Sequence, residues 1–225
     1  MGILALSAII MASTGFYLFL QSAPNFKPGH RKIQADLQLI REEVLKVAGD
    51  LAPVKKEDLE LISLREVQKK DKKWMVRNVQ AIFTNIFEEP AIAYYYRVYL
   101  SNKQDALLFA KTTQHEFFFW IHRGEVQIVV DEQALGAYHP DSGILHSART
   151  KKPIAQLQKN RQEGAELMIQ GKQVGKMTRL SPNAKDSLSK RVFDLVKNDL
   201  APEEEAIVLA LAIFEMVQAV NPPRS

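Results

Sequence analysis

The chain has 225 residues, 30 Lys+Arg against 26 Asp+Glu, 46% apolar residues and no cysteine. The apolar share excludes wholesale disorder, and ten Gly with ten Pro exclude collagen-like and low-complexity chains. Without Cys there is no disulfide, thiolate nucleophile or Cys-ligated metal site, and a net charge of +4 is weak for a dedicated nucleic-acid binder, so no nucleic-acid partner is expected.

Every Lys, Arg, Asp and Glu lies after residue 26. Residues 2–20, GILALSAIIMASTGFYLFL, hold neither charge nor Pro. As a helix this run spans about 29 Å, close to the ~30 Å hydrocarbon core of a bilayer. Phe16, Tyr17 and Phe19 suit an interfacial aromatic belt. The rival reading is a cleaved signal peptide. Against it, no Lys or Arg precedes the run, the run is long for such a peptide, and Gln21-Ser22-Ala23 is a poor cleavage site. The expectation is an uncleaved single-pass anchor over residues 1–23. Lys27, Arg31 and Lys32 follow it and nothing basic precedes it, so the positive-inside rule places the N-terminus out and the remaining chain in the cytoplasm.

Residues 24–54 read as a linker and an amphipathic helix. Pro24 to Gly29 breaks the first helix. From Lys32 to Ala48, Ile33, Leu37, Ile40, Val44 and Val47 recur at steps of three and four, and Gly49-Asp50 with Pro53 ends the segment. This helix packs on the following domain, lies on a bilayer, or self-associates. Its mixed outer face of Arg41, Glu42, Glu43 and Lys46 disfavours the bilayer.

From residue 59 the period becomes two. Leu59–Val67 and Trp74–Phe87 flank an expected charged turn, KKDKK at 69–73. Further strand-like runs follow at Ala91–Leu100, Ala106–Thr113, Phe117–His122, Val126–Val130, Ala134–Tyr138, Gly143–Ala148, Ile154–Gln158, Ala165–Ile169, Lys172–Leu180 and Lys190–Val196. About a dozen strands joined by connections too short for crossover helices make an antiparallel meander. There is also an internal echo. Residues 126–136 resemble 166–175 as strand, tight turn, strand, with Gly171 in a turn and Gly136 and Gly175 where a strand bends or bulges.

Asp199 to Glu205 starts a helix, with Pro202 in its first turn and three carboxylates at its positive end. Residues 206–220, AIVLALAIFEMVQAV, are then apolar on nearly every face. Such a helix must be buried in a core or in lipid. With Glu215 and Gln218 interrupting it, the segment is short for a second span. Twelve tilted strands close a wall of about 12 Å radius, which leaves room for one helix inside. The expected fold is therefore mainly β, an antiparallel barrel of roughly twelve strands over residues 55–225 around a buried C-terminal helix. Glu215 either sits at the barrel mouth or pairs with an Arg or a Tyr hydroxyl.

That architecture, with the ending DLVKNDLAPEEEAIVLALAIFEMVQAV, resembles the tubby-like fold shared by tubby proteins, phospholipid scramblases and LURP-one-related proteins. The resemblance covers about residues 59 to 220. It implies membrane association, with some members binding phosphoinositides and some proposed to move lipids, and it implies no catalysis. It transfers no individual lipid-binding residue, and the N-terminal leader is not a feature of the fold itself.

Motifs for chemistry are lacking. There is no G-x-S-x-G, P-loop, dinucleotide-binding glycine pattern or H-E-x-x-H. The pairs His115/His122 and His139/His146 are each seven apart, which on a continuous strand points the two to opposite faces, and a turn signal lies inside the second interval. Glu88 and Glu89, adjacent before Pro90, diverge in the same way. No metal and no cofactor is expected. Two surfaces invite a partner. Tyr95, Arg97 and Tyr99 share one strand face opposite Tyr94, Tyr96 and Val98, an aromatic–basic stripe if that face is exposed. Lys151, Lys152, Lys159, Arg161, Lys172, Lys176 and Arg179 form a basic-rich stretch that would suit an anionic leaflet. For each, the plainer alternative is an ordinary solvated exterior. The expected function is a membrane-anchored, non-catalytic protein that binds anionic lipid headgroups or a membrane partner through the barrel surface. The alternatives are a scaffold subunit of an envelope complex and a hydrolase with an unrecognised site at the barrel rim.

Overall fold

Twelve period-two segments and one segment apolar on all sides satisfy each other only if the sheet curls around the helix. The computed structural model describes residues 29–73, 76–99, 105–160, 164–180 and 191–222. The leader and the start of the linker lie outside them. The strands are β1 (Ile62–Lys73), β2 (Arg77–Asn85), β3 (Pro90–Val98), β4 (Ala106–Lys111), β5 (Glu116–His122) and β6 (Glu125–Val130). They continue as β7 (Gln133–His139), β8 (Ile144–Ser147), β9 (Pro153–Asn160), β10 (Gly164–Ile169), β11 (Lys172–Met177) and β12 (Phe193–Val196). Each pairs antiparallel with the next, in chain order. The two ends of the sheet meet where Ser63 bridges Arg191 and the Val192 amide donates to the Ile62 carbonyl at 2.8 Å. The result is a nearly closed antiparallel barrel.

Helix α1 (His30–Leu45) precedes the barrel and α2 (Pro202–Val220) follows it. Every residue of α2 from Ile207 to Phe214 is buried. Eight consecutive residues cover all faces at 3.6 residues per turn, so protein surrounds the helix. Its side chains form one core with inward residues from around the wall, among them Phe83, Tyr94, Leu108, Phe119, Ile128, Tyr138, Leu157 and Leu167. Phe214 meets Phe119 at 6.2 Å and the edge of Tyr138 at 5.6 Å between ring centroids. At the start of α2 the Ala201 amide donates to Glu204 Oε2 at 2.9 Å, satisfying one free N-terminal donor.

The echo in the sequence is a structural repeat. The β6–β7 hairpin turns at Asp131 and Glu132, and the β10–β11 hairpin at Gln170 and Gly171, all with positive φ. Both hairpins then slip register by one residue, between Ile128 and Val129 and between Leu167 and Met168. Each slip leaves a glycine beside the neighbouring strand. A Cβ on Gly136 would stand 1.9 Å from the His146 carbonyl oxygen, so no side chain fits there.

One connection differs from expectation. Residues 69–73 do not turn; they complete β1, and Lys70 to Lys73 pair with Gln80 to Arg77. A charged run is compatible with a strand when one edge and one face meet solvent. Lys69, Lys70 and Lys72 are all exposed here, and the positive φ of Gln68 lies within the second register shift, between Val67 and Lys70.

Because successive strands reverse, the hairpins alternate between two rims. Rim I carries the β1–β2, β3–β4, β5–β6, β7–β8, β9–β10 and β11–β12 connections, and rim II carries the others. Helix α1 runs antiparallel to β3 across the outer wall. Its Asp36 reaches Tyr99, just beyond β3 at rim I, and the Ala52 amide after the helix donates to the Pro90 carbonyl at rim II at 2.7 Å. Helix α2 runs inside from rim II to rim I, where Asn221 accepts from Arg77 at 3.1 Å. The Phe214→Ala variant should lose about 3–5 kcal/mol of unfolding free energy in urea titrations, because the ring leaves a cavity that the closed wall cannot fill.

Candidate functional site

The aromatic–basic stripe illustrates how local and tertiary facts combine. Alternation on β3 places Tyr94 and Tyr96 in the inner core and Tyr95 on the outer side, as the period-two reading requires. The outer side is not a bare surface, however. Ile33, Ile40 and Val44 of α1 cover it, forming a second core with Ile82, Ala93, Tyr99, Leu107 and Phe109. Tyr99 is 3% exposed. The expected exposure of Tyr95, Arg97 and Tyr99 is thus corrected: the apolar stripe of α1 needs burial, and this wall supplies it.

One carboxylate binds that interface. Asp36, itself buried, accepts from the Tyr99 hydroxyl at 2.6 Å and from Lys32 at 3.0 Å, and stands 3.5 Å from an Arg97 guanidinium nitrogen. Arg97 also lies over the Tyr99 ring, 5.9 Å from its centroid. The sequence reading passed over Asp36, yet it carries a signal. It is the one acid set between Ile33, Leu37 and Ile40, and a carboxylate on an apolar stripe requires a partner.

The basic stretch is not one patch. Lys151 and Lys152 lie on the β8–β9 connection and Lys172 opens β11, all at rim II. Lys159 ends β9 and Arg179 follows β11, both toward rim I, while Lys176 sits on β11 between them. Arg161 is outside the described residues. Residues one strand length apart in a meander land at opposite ends, so density along the chain does not become density in space.

Rim I closes over the end of α2 with polar contacts. Glu215 accepts from the Tyr138 hydroxyl at 3.0 Å and pairs with Lys159 at 2.8 Å. It therefore sits at the mouth and also takes a tyrosine partner. Gln218 donates to the Tyr96 hydroxyl at 3.4 Å, and Asn221 donates to the Tyr94 hydroxyl at 3.0 Å. Tyr94 in turn donates to Glu66. Arg77 links Asn221 to Asp71 at 3.2 Å. Burial first, and then the neighbouring carboxylates Glu66, Asp36 and Glu215, push the Tyr94, Tyr99 and Tyr138 phenols well above the ordinary tyrosine range.

The two histidine pairs fare differently. His115 pairs with Asp131 at 2.6 Å at rim II, and His122 with Asp105 at 2.8 Å at rim I. His139 and His146 do meet, ring centroids 5.4 Å apart and edge to face, because the β7–β8 hairpin reverses between them and the continuous-strand rule does not apply. No group of three or more potential metal ligands occurs among the described residues. Glu88 and Glu89 diverge, to Arg65 and Asn85 respectively. A cleft of about 120 Å³ at rim II is lined by residues including Val54, Asp58, Leu61, Asn85, Phe87 and Glu89; its lining has two carboxylates and no serine or histidine to work with them. No helix of the described residues is long and apolar enough to cross a membrane. In comparisons with protein-family models, curated proteins and solved structures, nothing matches the chain.

Two outcomes test this geometry. Asp36→Ala should cost about 3 kcal/mol in urea titrations, since it strands a buried guanidinium and hydroxyl. Combined with Tyr99→Phe it should cost less than the sum of the two single changes. Stability should also fall in strong alkali. Raised phenol pKa values stabilise the fold fully below the unfolded tyrosine value of about 10, and that contribution is lost as pH climbs past it toward the folded values. Urea midpoints should stay level in mildly alkaline buffer and drop above about pH 10, with a slope of at most about 1.4 kcal/mol per pH unit per tyrosine. The Tyr99→Phe variant should show a shallower drop.

Proposed function

We propose that the chain is a membrane-anchored, non-catalytic barrel that binds anionic lipid headgroups or a membrane partner through its surface. The observation that carries this reading is the filled interior. Helix α2 occupies the space in which a barrel of this width would otherwise hold a ligand, and recognition is left to the rims and the outer wall. Residues 2–20 supply the anchor, and Lys27, Arg31 and Lys32 set the barrel on the cytoplasmic side. Kinship with the tubby-like fold is part of the same proposal, supported by the strand number, the meander and the central helix.

Alkaline carbonate extraction of membranes from cells making the full chain tests the anchor. The full chain should stay in the membrane pellet, and a chain lacking residues 2–20 should be released. Release of the full chain would overturn the reading.

A further inference from the structure

The two rims differ in charge. Among the described residues, rim I exposes Lys70, Lys72, Arg123, Lys159, Arg179 and Arg191 against the exposed acids Asp71, Asp141 and Asp194. Rim II exposes seven acids, Glu57, Glu88, Glu89, Asp131, Glu132, Asp199 and Glu203, interleaved with six bases, Lys55, Arg149, Lys151, Lys152, Lys172 and Lys197, so its charges nearly balance. Arg123, Arg179 and Arg191 have no ion-pair partner among the described residues. Sequence order hides this separation, because alternate hairpins deal neighbouring charges to opposite ends.

A second observation is independent of charge. Helix α1 begins at rim I, since Asp36 already lies beside Tyr99 and the helix continues six residues further toward its N-terminus. The segment that precedes it therefore joins the barrel at the basic rim. Nine residues, 21–29, separate the uncharged run from α1, and nine extended residues reach at most about 30 Å. Rim II lies another 20 Å or so away, the projected length of a tilted strand.

From these we infer that rim I is a docking face for an anionic phospholipid bilayer. The barrel stands on its linker with the basic rim against the headgroups and the rim of balanced charge turned away. The inference rests on the reading of residues 2–20 as an anchor and specifies which face of the barrel meets the lipid. Electrostatic attraction at the surface acts within a Debye length of about 8 Å, so a rim brought near by a short tether is where basic residues count, each by about fivefold in partitioning.

The absence of cysteine permits single-site labelling of the full chain. Ser142→Cys places a donor dye on the β7–β8 hairpin at rim I, and Gln133→Cys places one at rim II. The labelled chain is reconstituted into vesicles carrying a headgroup-linked acceptor, made of phosphatidylcholine alone or mixed with phosphatidylglycerol. Energy transfer from position 142 should rise about twofold with phosphatidylglycerol, while transfer from 133 does not, and the rise should vanish near 1 M salt, where the Debye length is about 3 Å. Combining Lys70→Gln, Lys72→Gln, Arg123→Gln and Arg191→Gln should abolish the rise. Combining Lys151→Gln with Lys152→Gln at rim II should leave it intact. Should the fourfold variant fail to fold, the lipid and salt dependence of the otherwise unchanged chain decides alone. Transfer from 142 that ignores lipid charge and salt, in chain that floats with the vesicles, overturns the docking and leaves the anchor standing. Chain that does not float with either vesicle removes the anchor reading and the docking with it.

Discussion

A helix without a polar face has to be enclosed, and the rest of the molecule follows from that requirement. Eight successive buried residues of α2 leave no side for solvent. One sheet wrapped through twelve strands encloses it without a second sheet or partner. The apolar interior sets how wide the wall must be, but apolar contacts alone allow the helix to slide or rotate among similar packings. The polar groups resist that freedom. Glu215, Gln218 and Asn221 each find a defined partner on the wall, Glu215 with Tyr138 and Lys159 on β7 and β9, Gln218 with Tyr96 on β3, and Asn221 with Tyr94 on β3 and Arg77 on β2. Rotation of α2 would strand several of these groups at once, so the mouth contacts fix the register of the helix within the barrel.

The same logic extends outward through β2 to β5. These strands are buried on both faces, by α2 inside and α1 outside, which accounts for runs such as Ala91 to Tyr96 and Phe117 to Trp120 that lack clean apolar–polar alternation. A three-layer stack results on that side: outer helix, wall, inner helix. Asp36 does at the outer boundary what Glu215 does at the inner one. Each is a carboxylate on an otherwise apolar helix face, and each is matched by a tyrosine hydroxyl and a base. The acid specifies the docking position and the surrounding hydrocarbon supplies the bulk of the driving force.

Period, turn residues and the apolar tail were enough to read the strands, their order and the enclosed helix, because each is a local signal or a single geometric consequence of one. The glycines at 136 and 175 were legible for the same reason. What escaped was anything decided by two distant segments meeting. Alternation gives the stripe of Tyr95, Arg97 and Tyr99 its face, but nothing within β3 reports that α1 lies over it. The basic stretch from Lys151 to Arg179 looked like a patch because sequence proximity is blind to which rim a hairpin occupies. The turn between His139 and His146 is legible, but which residues the hairpin sets opposite each other, and so the contact of the two rings, is not. The composition of the run at 69–73 signals a turn, whereas pairing with β2 extends it as strand.

That run also bears on the charge of rim I. Among the described residues, the side of β1 away from β2 is paired only near Ile62 and Ser63, at the seam with the segment leading into β12. Lysines along a strand edge discourage pairing with another chain, so Lys69, Lys70 and Lys72 have a local reason to be there. Edge protection does not explain the rim as a whole. Arg123 is on the β5–β6 hairpin and Lys159 at the end of β9, both on strands paired along their two sides and removed from the seam. Glu215 accounts for Lys159, but Arg123 guards no edge and has no ion-pair partner among the described residues. Its place on the rim at which α1 begins is accounted for by the docking proposed above and not by strand protection.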